Sequence, residues 1–455
     1  MADAARFDPH RSALFTDLYQ LTMLQAYYAE GMTGAAAFEL FFREMPQQRN
    51  YVLAAGLDTV LDFLENLRFT DDELAWLEGQ GRFSGALLER LRSLRFTGDV
   101  YAMAEGTVVF PHEPVVQVVA PLPEAQLVET FVLNQIHLQS VAATKAARVV
   151  TAAAGRTVFE FGSRRSHGSD AALKVGRASY LAGAAGTSNV AAGRLYGVPL
   201  FGTMAHSYVL AHGDELAAFR AFARQFPQTT LLVDTYDTLD GVRKVIRLAG
   251  ELGDAFRVAA VRLDSGDLAG LARGARQLLD AAGLESVKIF ASGGLNEFKL
   301  ARLLDQNAPI DGFGVGTDLA VSADLPDIDF YYKLVAYAGK PRMKLSSSKV
   351  NRPGRKQVFR VVENGRMVYD VLARHDETLP GEALLVPVMQ GGKRLAAGRA
   401  TLEQARERAR AQLAALPPEL KSLEHAGDGY PLEVSRRLQE DTEQLRQELE
   451  RTQIR

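Results

Sequence analysis

The sequence predicts an α/β protein in which a parallel barrel of about seven strands occupies the middle of the chain, with an α+β domain built from both ends. Two observations predict the barrel. From position 157 onwards, short apolar runs alternate with longer amphipathic stretches. In addition, the unusual polar residues of this region directly follow the apolar runs. The first observation indicates alternating strands and helices, and the second indicates a common site at the strand ends.

The seven expected strands are short and largely apolar. Short strands without polar alternation are expected when helices cover both faces of a parallel sheet. The expected strands are TVFEF (157–161), AAGTS (184–188), PLFGT (199–203), TLLVD (230–234), RVAAVRL (257–263), VKIFAS (287–292) and DGFGVG (311–316). The helical patterns between them include DELAAFRAFARQF (214–226), LDGVRKVIRLAGEL (239–252) and LAGLARGARQLLDAAG (268–283).

An open, doubly wound sheet is the alternative, because periodicity does not distinguish a closed sheet from a twisted open one. An open sheet would concentrate its polar residues at one switch point. Here each strand contributes one or two polar groups at its C-terminal end, with glycines beside them on the last two strands, which favours a barrel with its site on that rim. The residues at these ends are Phe161 and Arg164, Ser188, His206, Asp234 and Asp237, Arg262 and Asp264, Ser292, Gly293 and Gly294, and Gly314, Gly316 and Thr317.

The two ends of the chain mix helices with strands, so we predict three segments. Residues 1–130 form an N-terminal α+β domain, and residues 131–345 form the catalytic α/β barrel. Residues 346–455 return to the α+β domain and end in surface helices. The charged tail, 433–455, is interpreted as a solvated surface helix.

The composition excludes several classes of protein. Among the 455 residues, 47% are hydrophobic and 24% are charged, as in globular proteins, and the length suggests two or three domains. A net charge of -3 gives no reason to expect nucleic acid as a partner. The chain has no cysteine, which excludes disulfides, thiolate zinc sites and cysteine nucleophiles. It also has no long uncharged apolar run and no signal-peptide pattern at its start, so we expect a cytoplasmic protein without a membrane partner.

The stretch VRLDSGDL (261–268) combines a strand end, an arginine, two carboxylates and a helix start. The guanidinium of Arg262 matches phosphate or carboxylate, although an ion pair with a neighbouring aspartate is equally consistent with the pattern. Asp264 is suited to ribose hydroxyls or to magnesium through its waters. We interpret Ser265 and Asp267 as helix-capping residues.

Two glycine-rich turns follow the last two strands, ASGGLNE (291–297) and GFGVGTD (312–318). Glycines let backbone amides approach an anion, and a helix start adds favourable partial charge. Each turn alone is weak evidence, since glycine in such turns often serves only the turn geometry. Together, on the last strands of a barrel, they predict a phosphorylated ligand.

Two further strand ends carry candidate residues. FGSRRSHG (161–168) places an aromatic ring beside two arginines, and the ring of Phe161 either stacks on a flat heterocycle or packs in the core. His206 follows the end of the PLFGT run. A lone histidine usually packs in the core; the functional alternative is acid–base catalysis or nucleophilic attack on phosphorus. Asp234 is a plausible anchor for its imidazole. No metal ligand set is predicted, because no second histidine stands at ligand spacing.

The chain resembles the nicotinate phosphoribosyltransferase family in a series of motifs that occur in the same order along the sequence. The matching segments run from TDLYQLTM (16–23) and LNQIHLQSVAATKAARV (133–149) through EFGSRRSHG, GAAGTSNV, GTMAHS, LLVDTYDT, VRLDSGDL, SGGLNE and GVGT to PRMKLSSSKVNRPGRKQVFR (341–360). The resemblance covers nearly the whole chain. It implies the irregular barrel of type II phosphoribosyltransferases with a second domain from both termini.

The resemblance also implies the reaction and its participants. Nicotinate and 5-phosphoribosyl 1-diphosphate would give nicotinate mononucleotide and diphosphate in NAD biosynthesis, with ATP as a co-substrate and magnesium as cofactor. His206 matches the family histidine that ATP phosphorylates. Asp234 and Arg262 are the other expected catalytic residues, and a homodimer with a shared active site is expected.

The expected substrate contacts follow residue by residue. Arg262, Asp264, Gly293, Gly294 and Thr317 would handle the phosphoribosyl part, and Gly316 is a further expected substrate-binding residue. Phe161 and Tyr19 would sandwich the pyridine ring, with Tyr19 coming from a neighbouring subunit. The remaining matches near the base and diphosphate are Arg164, Ser188 and Thr203.

Two alternatives remain open at this point. Nicotinamide phosphoribosyltransferase carries an aspartate in the GTS segment, where this chain has Ser188, which does not repel a carboxylate; nicotinate is therefore the expected base. Quinolinate phosphoribosyltransferase is not one of the two, because it is shorter, lacks the AHS histidine and would need further basic residues for its second carboxylate. A non-catalytic barrel that binds a nucleotide is the other alternative, and turnover of substrate distinguishes it from an enzyme.

Overall fold

The computed structural model describes residues 11–345, 351–427 and 429–453. The start of the charged N-terminus (1–10), part of the segment 341–360 (346–350) and the last two residues of the tail lie outside the described residues. The chain divides into two compact units, residues 142–326 and the combined ends, 1–141 with 327–455. The sequence had suggested limits at 130/131 and 345/346, which stay predictions.

Helices and strands alternate irregularly in the first part of the chain. Its elements are α1 Leu18–Ala29, β1 Ala35–Phe42, β2 Val52–Leu53, α2 Leu57–Asn66, α3 Asp71–Gly79, α4 Gly85–Ser93, β3 Asp99–Ala102, β4 Val108–Val109, β5 Val116–Pro121, α5 Leu122–Leu127 and α6 Glu129–Ala152.

The middle of the chain has the expected alternation. Its elements are β6 Thr157–Glu160, α7 Ser169–Leu181, β7 Gly186–Thr187, α8 Val190–Tyr196, α9 His206–His212, α10 Glu215–Gln225, β8 Thr230–Leu232, α11 Thr238–Leu252, β9 Ala260–Leu263, α12 Leu268–Ala281, β10 Lys288–Ala291, α13 Glu297–Asp305, β11 Gly312–Val315 and α14 Thr317–Ala320.

Strands dominate the last part, which ends in helices. Its elements are β12 Phe330–Tyr337, β13 Lys340–Pro341, β14 Lys356–Glu363, β15 Arg366–Arg374, β16 Glu382–Ala383, β17 Val386–Gln390, β18 Lys393–Arg394, α15 Leu402–Ala415, β19 Leu432–Val434 and α16 Arg436–Gln453.

The unit built from both ends contains a seven-stranded sheet in the order β13-β12-β1-β5-β3-β17-β18. Its central strand β1 pairs antiparallel with β12 on one side and with β5 on the other. Seven of the eight residues of β1 are buried, and the ring of Phe38 stacks on Tyr332 at 4.9 Å. Burial of this apolar strand on both faces explains why the early and late parts of the chain fold together.

The unit of residues 142–326 contains a parallel sheet of six strands in the order β7-β6-β11-β10-β9-β8. Its strands are buried, and α11 and α12 are amphipathic: Val242, Val245 and Leu248 of α11 are fully buried. Each such side chain contributes about 1.5–3 kcal/mol to stability. The predicted irregular α/β barrel fold is confirmed, and its parallel sheet is a curled half-barrel.

One expected strand, PLFGT, does not form as predicted. Only Leu200 makes a bridge, to Thr187 of β7, and the described sheet therefore has six strands rather than seven. Pro199 has no N–H to donate, and its carbonyl accepts from Thr187 N at 3.0 Å before the chain turns towards α9. The described parallel sheet therefore ends at β8 on one side and at β7 with this bridged segment on the other.

Candidate active site

The predicted site residues of the parallel unit follow the C-terminal ends of its strands. Arg164 and Ser188 follow β6 and β7, Asp234 follows β8, and Asp264 follows β9. Because the strands are parallel, these ends share one rim of the sheet. The structure thus brings them to a common edge, as expected.

Arg262, in β9, is the most connected side chain at this rim. Its Nη1 donates to Asp264 Oδ1 at 2.8 Å and to Ser292 Oγ at 2.9 Å. Its Nε donates to Thr203 Oγ1 at 3.1 Å, and its Nη2 donates to the carbonyl of Met204 at 3.0 Å. Burial lowers the pKa of Arg262, while Asp264 and Asp234 act in the opposite direction. The ion pair considered from the sequence therefore exists and leaves the guanidinium rigidly held.

Asp234 joins the ends of β8 and β9. Its Oδ2 accepts from Asp264 N at 3.0 Å and from Ser265 Oγ at 2.7 Å. Its Oδ1 is buried and has no hydrogen-bond partner among the described residues. A buried carboxylate oxygen without a partner is costly, which is typical of a functional position.

His206 begins α9 and is 41% exposed at its side chain. Its Nε2 lies 3.9 Å from Asp234 Oδ1 and 3.9 Å from Asp264 Oδ2, beyond hydrogen-bond range. Its Nδ1 lies 3.2 Å from Thr235 Oγ1. The expected anchor, Asp234, is close to the ring, but the hydrogen-bond partner is Thr235. The sequence offered only a weak signal for this, since Thr235 directly follows Asp234.

The capping roles expected after β9 are not found. Asp267 occupies the N-cap position of α12, but its side chain makes no capping hydrogen bond. Ser265 donates instead to Asp234. The segment 264–267 therefore contributes a hydrogen bond between two strand ends rather than a side-chain cap for α12.

The turn after β10 packs against the end of β9. Gly293 has φ +89°, and a Cβ there would lie 1.7 Å from the carbonyl oxygen of Asp264, so only glycine fits. Gly294 also has positive φ, +60°. Asn296 caps α13 through Lys299 N at 3.0 Å and donates to Asp318 Oδ2 at 2.8 Å. The bond between Asn296 and Asp318 joins the two predicted glycine-rich turns. Gly293, Gly294 and the exposed Thr317 therefore lie on the same rim.

Gly314 has another role than the one predicted for it. It lies within β11, and a Cβ there would be 2.4 Å from the ring of Phe161. Gly314 therefore makes room for that ring, while Gly316 stands at the N-cap of α14 as expected. Phe161 is half-buried and lies near-parallel to Phe201, with ring centroids 6.1 Å apart. This aromatic floor suits a flat heterocycle.

The other residues expected near the pyridine base are less constrained. Arg164 lies in the 3₁₀ turn Ser163–Arg165 and is exposed, and Ser188 is half-buried. The backbone N–H of Ser188 donates to the carbonyl of Glu160 at 3.0 Å. Glu160 and Thr187 were not singled out from the sequence, because a carboxylate and a hydroxyl inside short apolar runs give no motif.

Tyr19 belongs to the other unit and lies on α1, 47% exposed. Burial and the charges of Glu129 and Asp17 raise its pKa to about 12, so the phenol stays protonated at neutral pH. A cavity of about 320 Å³ beside it is lined by residues that include Asp17, Glu129, His137 and Asp327.

A second cavity, of about 560 Å³, belongs to the parallel unit. It lies at the N-terminal ends of the strands and is lined by Thr157, Lys288 and Asp311 among others. None of the predicted site residues lines it. Within residues 11–345, 351–427 and 429–453, no group of three or more metal-ligating side chains is present, and no helix is long and apolar enough to cross a bilayer.

Two family models match the chain. The nicotinate phosphoribosyltransferase (NAPRTase) N-terminal domain matches residues 14–137, and the NAPRTase family matches residues 157–363. Nicotinate phosphoribosyltransferase pncB2 of Mycobacterium tuberculosis is 60% identical over 437 residues, which cover 96% of this chain and 94% of that protein. The nicotinate phosphoribosyltransferase of Bacillus subtilis is 43% identical over 375 residues, 80% and 76% of the two chains. The crystal structure of human nicotinic acid phosphoribosyltransferase has a TM-score of 0.83 at 32% identity, over 94% of this chain and 99% of that one.

Proposed function

The chain belongs to the nicotinate phosphoribosyltransferase family, and from this premise we propose how its rim residues perform the reaction. The family activity makes it an enzyme of NAD biosynthesis that forms nicotinate mononucleotide and diphosphate from nicotinate and 5-phosphoribosyl 1-diphosphate. The observation that carries the proposal is the convergence of Arg262 and His206 on the two oxygens of Asp264.

The phosphoribosyl group is assigned to the turns after β10 and β11. Exposed backbone at Gly293 and Gly294, and the start of α14 at Thr317, supply N–H donors for the 5-phosphate. Asp264, 34% exposed, is placed to accept from ribose hydroxyls. Gly316 allows the backbone of the last turn to approach the same group.

The transfer breaks the bond between ribose C1 and the diphosphate oxygen and forms the bond between C1 and the pyridine nitrogen. Positive charge develops on the sugar and negative charge on the leaving diphosphate. Arg262, held by Thr203, Asp264 and Ser292, presents a fixed cation on the side of the leaving group, assisted by Arg164. The nitrogen of nicotinate attacks with its own lone pair, so the residues need to orient rather than deprotonate it.

The donor set fits magnesium. Asp234 and Asp264 are carboxylates, and Oδ1 of Asp234 is buried without a hydrogen-bond partner among the described residues. Magnesium is commonly held by one or two carboxylates together with substrate phosphates. When bound, it would neutralise charge on the diphosphate.

ATP coupling is assigned to His206. The hydrogen bond to Thr235 holds Nδ1 and leaves Nε2 without a hydrogen-bond partner among the described residues, as a nucleophile requires. Nε2 takes the γ-phosphoryl group of ATP with release of ADP, and water later removes that group as phosphate. The added negative charge beside Asp234 and Asp264 would shift the rim between two states, so that hydrolysis favours product formation.

The pyridine ring is assigned to Phe161 and to Tyr19 of a second copy of this chain. Large apolar side chains of both units are exposed: Leu18 at 50% and Tyr19 at 47% in one, Val190 at 70%, Leu195 at 61% and Leu200 at 55% in the other. Exposed apolar side chains of this kind are suited to a homodimer interface. The proposed location is the cytoplasm.

The proposed function is tested by measuring diphosphate release by the purified chain. Release should require nicotinate and 5-phosphoribosyl 1-diphosphate together and should increase with ATP. Release that is independent of nicotinate, or absent with all substrates present, would contradict it.

A further inference from the structure

A buried carboxylate directly behind the base side of the rim has no role in the reaction described so far. Glu160, the last residue of β6, is fully buried. Its Oε1 accepts from Gly162 N, and its Oε2 accepts from Thr187 Oγ1 at 2.5 Å. No lysine, arginine or histidine of the described chain forms an ion pair with it.

This carboxylate is expensive for the fold. Burial raises the pKa of Glu160, and the hydrogen bonds from Thr187 and Gly162 only partly oppose that effect. An apolar residue of the same size would avoid the cost of burying a charge without a cation. The position is therefore better explained by the two groups that the carboxylate holds than by the stability of the core.

The groups it holds adjoin two residues assigned to the base. Phe161 directly follows Glu160, and Ser188 directly follows Thr187. The backbone carbonyl of Glu160 also accepts from Ser188 N at 3.0 Å. Side chain and main chain together fix the ends of β6 and β7 to one another at the point where both loops begin.

The loop after β6 is also held from its other side, by contacts with the end of β11 and with α14. Phe161 N donates to the carbonyl of Val315 at 2.8 Å. A Cβ at Gly162 would lie 2.3 Å from Ala320 Cβ and 2.7 Å from the carbonyl oxygen of Gly316. With its far side packed this closely, the loop that carries Phe161 is held in place, and the Glu160–Thr187 bond adds a side-chain tie to the backbone bond that sets Ser188 against it.

We infer that Glu160 and Thr187 form a positioning pair that sets the separation of Phe161 and Ser188 and thereby the preference of the site for nicotinate over nicotinamide. The pair does not touch the reacting atoms. The inference rests on the proposed function, in which Phe161 and Ser188 contact the base. The two bases differ only in the carboxylate or amide group, so small displacements of Ser188 affect the choice between them.

The test is steady-state kinetics of Thr187→Val, which removes the hydroxyl at nearly constant volume and leaves Glu160 Oε2 without a partner. We expect KM for nicotinate to rise about tenfold and the kcat/KM ratio of nicotinate to nicotinamide to fall about tenfold, the size of one hydrogen bond to a charged group. KM for 5-phosphoribosyl 1-diphosphate should stay within about twofold, since the phosphate turns lie on other strands. Thr187→Ser, which keeps the hydroxyl, should restore the ratio.

Two further variants keep the result decisive. Thr230→Val changes a buried threonine at the opposite end of β8 and should leave both KM values and the ratio unchanged. Glu160→Met removes both acceptors at similar size, so that the Thr187 hydroxyl has no partner at position 160, and should lower the ratio as Thr187→Val does, also if the latter does not fold. A folded Thr187→Val or Glu160→Met with the wild-type ratio, or with equal increases in KM for nicotinate and for 5-phosphoribosyl 1-diphosphate, would overturn the inference. A wild-type chain that does not turn over nicotinate would instead contradict the proposed function.

Discussion

His206 and Thr235 are joined at the rim by a contact of 3.2 Å between Nδ1 and Oγ1. This contact orients the imidazole so that Nε2 faces Asp234 and Asp264, each 3.9 Å away. A histidine held by one nitrogen and open at the other is prepared to accept a phosphoryl group. The proposed coupling to ATP depends on this arrangement.

Replacing His206 by alanine should abolish the stimulation of nicotinate mononucleotide formation by ATP and leave part of the ATP-independent synthesis. The reason is that Arg262 and the phosphate turns remain in place without the imidazole. Rates measured with and without ATP check this. His212→Ala, on the same helix and exposed, is the control and should behave as wild type. ATP stimulation that survives in His206→Ala would contradict a phosphohistidine at this position.

Replacing Ser188 by aspartate should shift the enzyme towards nicotinamide. An aspartate repels the carboxylate of nicotinate and accepts a hydrogen bond from the amide, so the ratio of kcat/KM values should change by roughly 10- to 100-fold. Competition between the two bases measures it. Equal turnover of both bases by the wild-type chain would refute the role of Ser188.

Replacing Gly293 by alanine should weaken binding of 5-phosphoribosyl 1-diphosphate and destabilise the fold. The added Cβ would meet the carbonyl oxygen of Asp264 at 1.7 Å, and φ is +89°. We expect a loss of about 1–3 kcal/mol in the free energy of unfolding from the backbone strain, measured by denaturant titration, together with a raised KM for that substrate.

Gly283→Ala is the matched control for this change. Gly283 also has positive φ, +71°, but no atom lies within 4 Å of the position of its Cβ. It should lose only the roughly 1–2 kcal/mol of left-handed strain and keep the wild-type KM. A normal KM in a folded Gly293→Ala protein would show that this turn does not bind the phosphate.

Mixing two inactive variants should restore activity if the active site is shared between copies. Tyr19→Ala and Arg262→Ala change different units of the chain, so a mixed dimer would contain one complete site. Roughly a quarter of wild-type activity is expected after random reassociation of a two-fold dimer. Arg262→Ala mixed with Phe161→Ala, which both change the parallel unit, should recover none. Failure of the first mixture, with dimers present, would contradict the sharing of Tyr19.

The strand ends could be predicted from the sequence because apolar runs and turn residues are local signals. Arg262, Asp264 and Asp234 were found this way, since each directly ends or follows such a run. The pairing of His206 with Thr235 could not be predicted, because it depends on how α9 is set against β8. Periodicity also gave no sign that the segment after Pro199 would make one bridge rather than a strand.

Small residues were harder to interpret than charged ones. Gly314 and Gly316 belong to one motif, GFGVG, yet one receives the ring of Phe161 and the other precedes a helix. Only the fold decides which glycine faces the interior. Glu160 and Thr187 were missed for a related reason, since their bond joins two strands that are separated by a helix in the sequence.

A crystal structure with nicotinate mononucleotide bound decides whether this rim is the active site. We expect the 5-phosphate at Gly293, Gly294 and Thr317, and the pyridine ring on the face of Phe161. Density for the nucleotide at the opposite ends of the strands, in the cavity lined by Thr157, Lys288 and Asp311, would contradict the assignment of this rim as the active site.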